Sequence, residues 1–346
     1  VHREPGRDIW YANLASIQTR LMEYDEALQN YELALEANPE NPQAKQGRAT
    51  LLASTERIGE LIDETQKLVD ENPGELQHKI ILARLLNKAE RVSEAIATLR
   101  ELLVPEDDLT EQLEKLDEEG AAQLRVEQCA LLTELAHLWQ TKNRWGYALA
   151  NYGRLGRLIE DPEDISARYG QIDCLIELRR FEEAEEVLSE LEELRPDGPG
   201  IKIQRSHLLC ETERYKEAEV LLRDLVAEQP ANPTVLTQLA NTLLWLGHVE
   251  EAADYFEKAS EYNPLALASV VRAGRLPEDE KTLERMSRMA DNRLLAEQAR
   301  AGMSFALAEA YGKLKSFDRA FHYLQLGNDI ENKGLNFEPA QFSKRA

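Results

Sequence analysis

Ala184, Ala218 and Ala252 stand 34 residues apart, and this recurrence constrains the fold more than any other feature of the chain. Around them run "FEEAEEVLSELEELRPDGP" from Phe181, "YKEAEVLLRDLVAEQPANP" from Tyr215 and "VEEAADYFEKASEYNPLAL" from Val249. "YDEALQNYELALEANPENP", from Tyr24, follows the same plan. Each opens on an aromatic residue or Val, places Ala three residues on, a large apolar residue four beyond it, and Pro twelve after the Ala. Ala27 and Ala95 lie 68 apart with Leu61 halfway; Ala252 and Ala320 lie 68 apart with Met286 halfway. Ala148 precedes Ala184 by 36, so only the step from Ala95 to Ala148 breaks the period, by 19 residues.

A unit of this size with apolar residues at helical spacing predicts two antiparallel helices joined by a short turn. Ala15, Ala136, Ala240 and Ala308 on the first helix, and Ala27, Ala184, Ala218 and Ala252 on the second, let the pair approach closely. Tyr31, Tyr152 and Phe256 fill the gap to the next hairpin. Pro39, Pro73, Pro196, Pro230 and Pro264 end the second helix, because proline lacks the N–H and clashes with the preceding turn. One hairpin cannot bury its apolar face alone; stacking supplies the core.

The period and these residues resemble the tetratricopeptide repeat. The resemblance implies an all-α solenoid, a right-handed superhelix of eight or nine hairpins whose first helices line a concave groove. Seven clear units are centred on Ala27, Ala95, Ala148, Ala184, Ala218, Ala252 and Ala320, and degenerate ones on Leu61 and Met286. The expected organisation is repeat units over 1–103, an acidic insertion over 104–124, further units over 125–265, a degenerate helical pair over 266–300, and a last unit with a junction helix over 301–346.

The insertion carries "VPEDDLTEQLEKLDEEGAA", Val104 to Ala122, and predicts an extra helical turn or a longer first helix. Its carboxylates lack the DxDxDG spacing of a calcium loop and read as a solvated face. In the degenerate pair, Leu283, Met286 and Met289 fall at helical spacing and read as core. In the last unit Ala308, Tyr311, Phe317, Ala320 and Leu324 satisfy the repeat, but Gly327 stands where a larger apolar or small residue is usual. "RAGMSFALAEAYGKLKSFDRAFHYLQLGNDIENKGLNFEPAQF" resembles the junction of bacterial sulfotransferases that carry such repeats. Phe305, Ala308, Tyr311, Phe317, Gly327, Asn328, Phe337 and Pro339 carry the match, whereas "DIENKG" is mixed in charge where that family has a basic helix. The resemblance implies a catalytic domain beyond Ala346, with 3′-phosphoadenosine 5′-phosphosulfate bound on a loop resembling PRSGTT. No such loop occurs in this chain, nor does GxxxxGK[ST], GxGxxG, GxSxG or HExxH, so neither a cofactor nor catalysis is expected of these residues.

A net charge of −23 argues against sequence-independent binding to nucleic acid, which needs clustered Lys and Arg, and against an anionic membrane surface. It predicts a protein or peptide partner with basic segments, held less tightly as salt rises. No apolar run reaches the ~18 residues of a membrane helix. Cys129, Cys174 and Cys210 are widely spaced, form no CxxC, and read as reduced thiols of a cytoplasmic protein; no signal peptide is visible.

Counting the consensus alanine as position 20, position 9 of successive units holds Arg84, His137, Asp173, His207 and Asn241. Position 5 adds Thr133, Tyr169 and Thr237, and Trp245 lies one turn below Asn241. These are the candidate groove residues, with two histidines flanking Asp173 and able to titrate near neutral pH. A clamp for a chaperone's C-terminal carboxylate needs Lys at position 5 and Asn at position 9 of one hairpin. No unit combines them; the first offers Ala12 and Ser16. His207 and Cys210 share a helix face but have no third ligand nearby in sequence and read as structural. The terminal repeats expose apolar surface, so self-association is a further expectation.

Overall fold

In the computed structural model, residues 6–333 are described, apart from 56, 162–163, 197 and 278. Phe337 and Pro339, part of the junction resemblance, lie outside the described residues. Every regular element among the described residues is helical. The chain divides into two compact units, Val1–Pro196 and Asp197–Ala346.

The first unit contains α1 (Arg7–Arg20), α2 (Tyr24–Ala37), α3 (Pro42–Ala53), α4 (Ile58–Glu71), α5 (Leu76–Lys88), α6 (Val92–Arg100), α7 (Glu106–Lys115), α8 (Glu118–Thr141), α9 (Trp145–Leu158), α10 (Ser166–Glu177) and α11 (Phe181–Leu194). The second contains α12 (Pro199–Glu211), α13 (Tyr215–Glu228), α14 (Pro233–Trp245), α15 (Val249–Tyr262), a 3-10 turn Pro264–Ala266, α16 (Leu267–Arg272), α17 (Glu280–Asp291), α18 (Glu297–Lys313) and α19 (Phe317–Lys333). Setting α7 aside, consecutive helices form nine hairpins among the described residues.

Proline sets where second helices stop. The helices α2, α4, α11, α13 and α15 each end two residues before Pro39, Pro73, Pro196, Pro230 and Pro264 respectively. The intervening Asn38, Asn72, Arg195, Gln229 and Asn263 all leave the α region, as the residue before proline must.

Eight of the turns between successive helices share one geometry but no one residue. The left-handed position is Met22, Glu90, Asn143, Arg179, Glu213 and Lys315, with φ between 53° and 62°, and it is glycine only at Gly247 and Gly274. The N–H of the next residue reaches back over the turn: Arg180 donates to the Leu175 carbonyl at 2.9 Å, Arg214 to Leu209 at 2.8 Å and His248 to Leu243 at 2.9 Å. This six-to-one bond closes a Schellman cap and satisfies a carbonyl that the helix end leaves open. Four turns add an arginine that bridges to a glutamate three residues on: Arg57–Glu60, Arg91–Glu94, Arg180–Glu183 and Arg214–Glu217.

Packing between hairpins pairs a large side chain on one second helix with a small one on the next first helix. The Tyr31 ring lies on Gly47 of α3, where a Cβ would stand 2.2 Å from Cζ. The Tyr152 ring lies on Gly170 of α10, where the distance would be 2.4 Å. Both rings are buried. The residues over 104–122 form α7 and the first turn of α8. In α17, Leu283 and Met286 are buried in the core with Tyr311 and Tyr323, and Met289 packs at its edge.

Candidate functional site

The eight candidate residues fall four to each unit, all on first helices of hairpins. In the first unit, Arg84 lies on α5, His137 on α8, and Tyr169 and Asp173 on α10. The Arg84 guanidinium is engaged: its Nε donates to both carboxylate oxygens of Glu134 at 3.1 Å, so α8 neutralises the cation that α5 presents. Sequence reasoning passed over Glu134; the available signal was an acidic residue one turn before His137, on the side of α8 facing α5. His137 is exposed and stands edge-on to the Tyr152 ring at 6.3 Å.

Behind this surface lies a buried polar chain. The Tyr152 hydroxyl donates to the Gln140 side-chain oxygen at 3.2 Å, and the Gln140 amide donates to Cys174 Sγ at 3.8 Å. Burial pushes the Tyr152 hydroxyl up from 10.0 to about 12, with Cys174 and Asp173 adding to the shift. Burial likewise pushes the Cys174 thiol up from 9.0 to about 11 against the opposing Gln140 bond. Cys129 and Cys210 are raised by burial too. Each of these groups holds its proton to higher pH when folded than when unfolded. Their contribution to stability is therefore complete below the unfolded values and is lost as pH rises through 11 and 12. Urea midpoints are expected to hold up to about pH 9 and then fall steeply, with Tyr152→Phe flattening the upper part of the fall. The three thiols should stay inert to a disulfide reagent at neutral pH until the chain unfolds.

In the second unit, His207 lies on α12, and Thr237, Asn241 and Trp245 on α14. Asn241 and Trp245 come together: with Leu244, Phe256, Ser269 and Arg272 they line a cavity of about 370 Å³. The Trp245 ring is 71% exposed, yet it stacks on Tyr215 with centroids 5.7 Å apart and planes at 11°. The ring is thus held flat without being covered. Arg272 donates to Ser269 Oγ at 2.7 Å. Arg272 and Ser269 belong to the degenerate pair, where the repeat spacing gave no prompt to look for groove residues. Cys210 Sγ meets Thr242 Oγ1 at 3.4 Å. Among the described residues no group of three or more His, Cys, Asp or Glu is placed to hold a metal ion. No described helix is long and apolar enough to cross a membrane.

Sequence-family models described as tetratricopeptide repeat match residues 11–41, 142–199 and 209–273. An uncharacterized protein of Aquifex aeolicus (strain VF5) is 26% identical over 299 residues, which is 85% of this chain and 37% of that protein. The chain thus spans well under half the length of that relative. Among solved structures, a tetratricopeptide repeat protein from Parabacteroides merdae ATCC 43184 is 16% identical, with a TM-score of 0.42, over 93% of this chain and 98% of that one. Yeast Tom70 is 15% identical, with a TM-score of 0.43, over 94% and 85%. YrrB, described as a TPR protein with an unusual peptide-binding site, is 17% identical, with a TM-score of 0.34, over 59% and 96%. The stretches over 11–41, 142–199 and 209–273 are thus tetratricopeptide repeats.

Proposed function

We propose that this chain is a scaffold that binds a protein or peptide segment on its first helices, with the cavity at Asn241, Trp245 and Arg272 as one seat. The observation that carries this reading is Trp245: a large aromatic side chain left 71% exposed but fixed by stacking on Tyr215. Such a ring offers apolar contact area with little further loss of freedom on binding. Beside it, the Asn241 amide and the Arg272 guanidinium supply donors for backbone carbonyls of an extended segment, while the charge of −23 favours basic residues flanking it. Arg84, His137, Tyr169 and Asp173 in the first unit, and His207 and Thr237 in the second, are proposed as further contact residues.

Screening a display library of Lys- and Arg-rich peptides against the full chain tests this. Trp245→Ala is expected to weaken a selected peptide by at least about tenfold, as loss of an aromatic anchor does, while leaving the fold intact because the ring is exposed. Added salt should weaken the same complex. Selection of acidic peptides only, or binding indifferent to Trp245→Ala, would overturn the reading.

A second reading is that these repeats are the arm of a longer, sulfotransferase-like protein. It is supported by the residues over 300–339 and by a packing detail: Gly327 of α19 lies against the Phe305 ring of α18, where a Cβ would stand 2.7 Å from Cε1. Two residues of the junction resemblance thus meet in one contact. The donor 3′-phosphoadenosine 5′-phosphosulfate does not fit this chain, since the sequence has no PRSGTT-like loop and no strand precedes a helix among the described residues. Intact mass and peptide sequencing of the native polypeptide past Ala346 decide it: a strand followed by such a loop supports the reading, and a chain without them removes it.

A further inference from the structure

The repeat provides an internal measure of where each first helix should begin. In the other hairpins of the first unit, α1, α3, α5 and α10 start 18 to 20 residues before Ala27, Leu61, Ala95 and Ala184. By contrast, α8 starts at Glu118, 30 residues before Ala148. The surplus of about eleven residues is roughly 16 Å of helix at 1.5 Å per residue. It stands in mid-chain, with hairpins on both sides of it in sequence.

One side of this extension is packed. Leu109 of α7 is 4% exposed, and Ala121 and Gln128 of α8 are buried. Gln128 accepts from the Val104 N–H at 2.9 Å and donates to the Leu102 carbonyl at 3.3 Å, which ties the chain entering α7 onto α8. The other side is bare: Val126 is 65% exposed and Leu116, in the turn before α8, is 45% exposed. There Asp117, Glu119, Gly120, Ala122, Gln123 and Val126 line a cleft of about 560 Å³. Asp117 is held at its edge by accepting from the Gly120 N–H at 2.9 Å.

The cleft prolongs the face that carries candidate groove residues. Ala122, Val126, Thr133 and His137 follow one another at four, seven and four residues, which places them on a single stripe of α8. The surroundings are acidic. Residues 104–127 contain nine Asp and Glu against Lys115 and Arg125 alone, and those two pair with Glu111 and Glu160. An exposed aliphatic strip framed by carboxylates matches a partner that is aliphatic and cationic together, and it repels a second copy of a chain of charge −23.

We infer that this cleft docks a basic amphipathic helix of a partner protein. Its aliphatic side chains cover Ala122, Val126 and Leu116, and its Lys or Arg side chains meet Asp117 and Glu119. The lining residues run from Asp117 to Val126, roughly 14 Å of α8, which an apolar face recurring at i, i+4 and i+7 spans. The inference rests on the scaffold reading but not on the seat at Trp245, which belongs to the other unit.

Fluorescence anisotropy of a labelled 14-residue lysine–leucine peptide, patterned as an amphipathic helix and titrated with the full chain, tests it. Circular dichroism confirms that each variant stays folded; Val126 and Glu119 are both exposed. The expected result is saturable binding that weakens with salt. Val126→Ser should weaken it by about fivefold, as loss of a buried aliphatic contact does, and Glu119→Lys by about tenfold. Glu114→Lys makes the same change in net charge on α7, outside the cleft lining, and should have a much smaller effect. A peptide with serine in place of leucine should lose the binding. Equal losses from Glu119→Lys and Glu114→Lys, with Val126→Ser silent, overturn the proposal by reducing it to diffuse attraction. Binding lost in Trp245→Ala but untouched by Val126→Ser overturns it while leaving the scaffold reading in place. Binding that ignores Trp245→Ala and falls with Val126→Ser supports this site without that seat. Absence of binding to the lysine–leucine peptide overturns it, as does a dimer in sedimentation that Val126→Ser abolishes, which would make a second copy the occupant.

Discussion

Phe256→Ala is expected to lower the stability of the second unit by about 3–5 kcal/mol, the usual loss for emptying a buried phenylalanine site. The side chain is 1% exposed and sits among Leu239, Leu243, Ala252, Val270 and Ala273, joining α14, α15 and α16 in one core. It also forms one wall of the cavity beside Trp245, so truncation enlarges an existing opening that the backbone around it holds apart. Phe256→Leu keeps most of the volume and should cost less than about 1.5 kcal/mol. Urea unfolding gives the magnitude, and amide exchange gives the location. Since each repeat contacts only its neighbours, protection should fall in α14 to α16 and persist through α8 to α10. An unchanged midpoint would mean that the site collapses onto the missing ring, contrary to the packing described.

Gly170→Ala should destabilise the first unit by about 2 kcal/mol, although alanine is the better helix former. The helix preference is worth roughly 0.5–1 kcal/mol in the stabilising direction. Against it, the new methyl would stand 2.4 Å from Cζ of Tyr152. That ring is 5% exposed and tied through its hydroxyl to Gln140, so it cannot swing away without leaving a buried donor unpaired. Overpacking of this kind costs about 1–3 kcal/mol, with the lost bond in addition. The partner background supplies the decisive readout. In Tyr152→Leu the space above Gly170 opens, and Gly170→Ala should become neutral or stabilising by up to about 1 kcal/mol. If Gly170→Ala destabilises equally in both backgrounds, the contact is not the cause.

Both effects rest on residues whose part in the fold was only half legible in the sequence. The period was plain because alanine and proline recur at positions where geometry leaves no choice: a close helix contact and a helix stop. The same reasoning placed Tyr31, Tyr152 and Phe256 between hairpins. It did not reveal that Gly47 and Gly170 are the seats for two of those rings, because glycine in a helix carries no hydrophobic signal. Gly327 was noticed as an oddity, and its contact with Phe305 supplies a packing reason for it within the hairpin itself. The candidate site was less legible still. Position counting found Asn241 and Trp245, but Arg272 lies in a stretch that kept the spacing and lost the consensus. Arg84 was counted to a first helix, but its pairing with Glu134 was not legible, since that pairing joins residues 50 apart and depends on how α5 meets α8.

The hairpin turns have a different consequence. Six of them place Met, Glu, Asn, Arg, Glu and Lys in a left-handed conformation that such residues ordinarily avoid. Helix packing on either side, with the six-to-one bond, therefore dictates the bend, and the residue at its tip merely tolerates it. A tip fixed from outside is free to drift in sequence. Its acidic, basic and neutral versions coexist in one molecule, so charge at these tips can be changed by substitution while the hairpins beneath them stay the same.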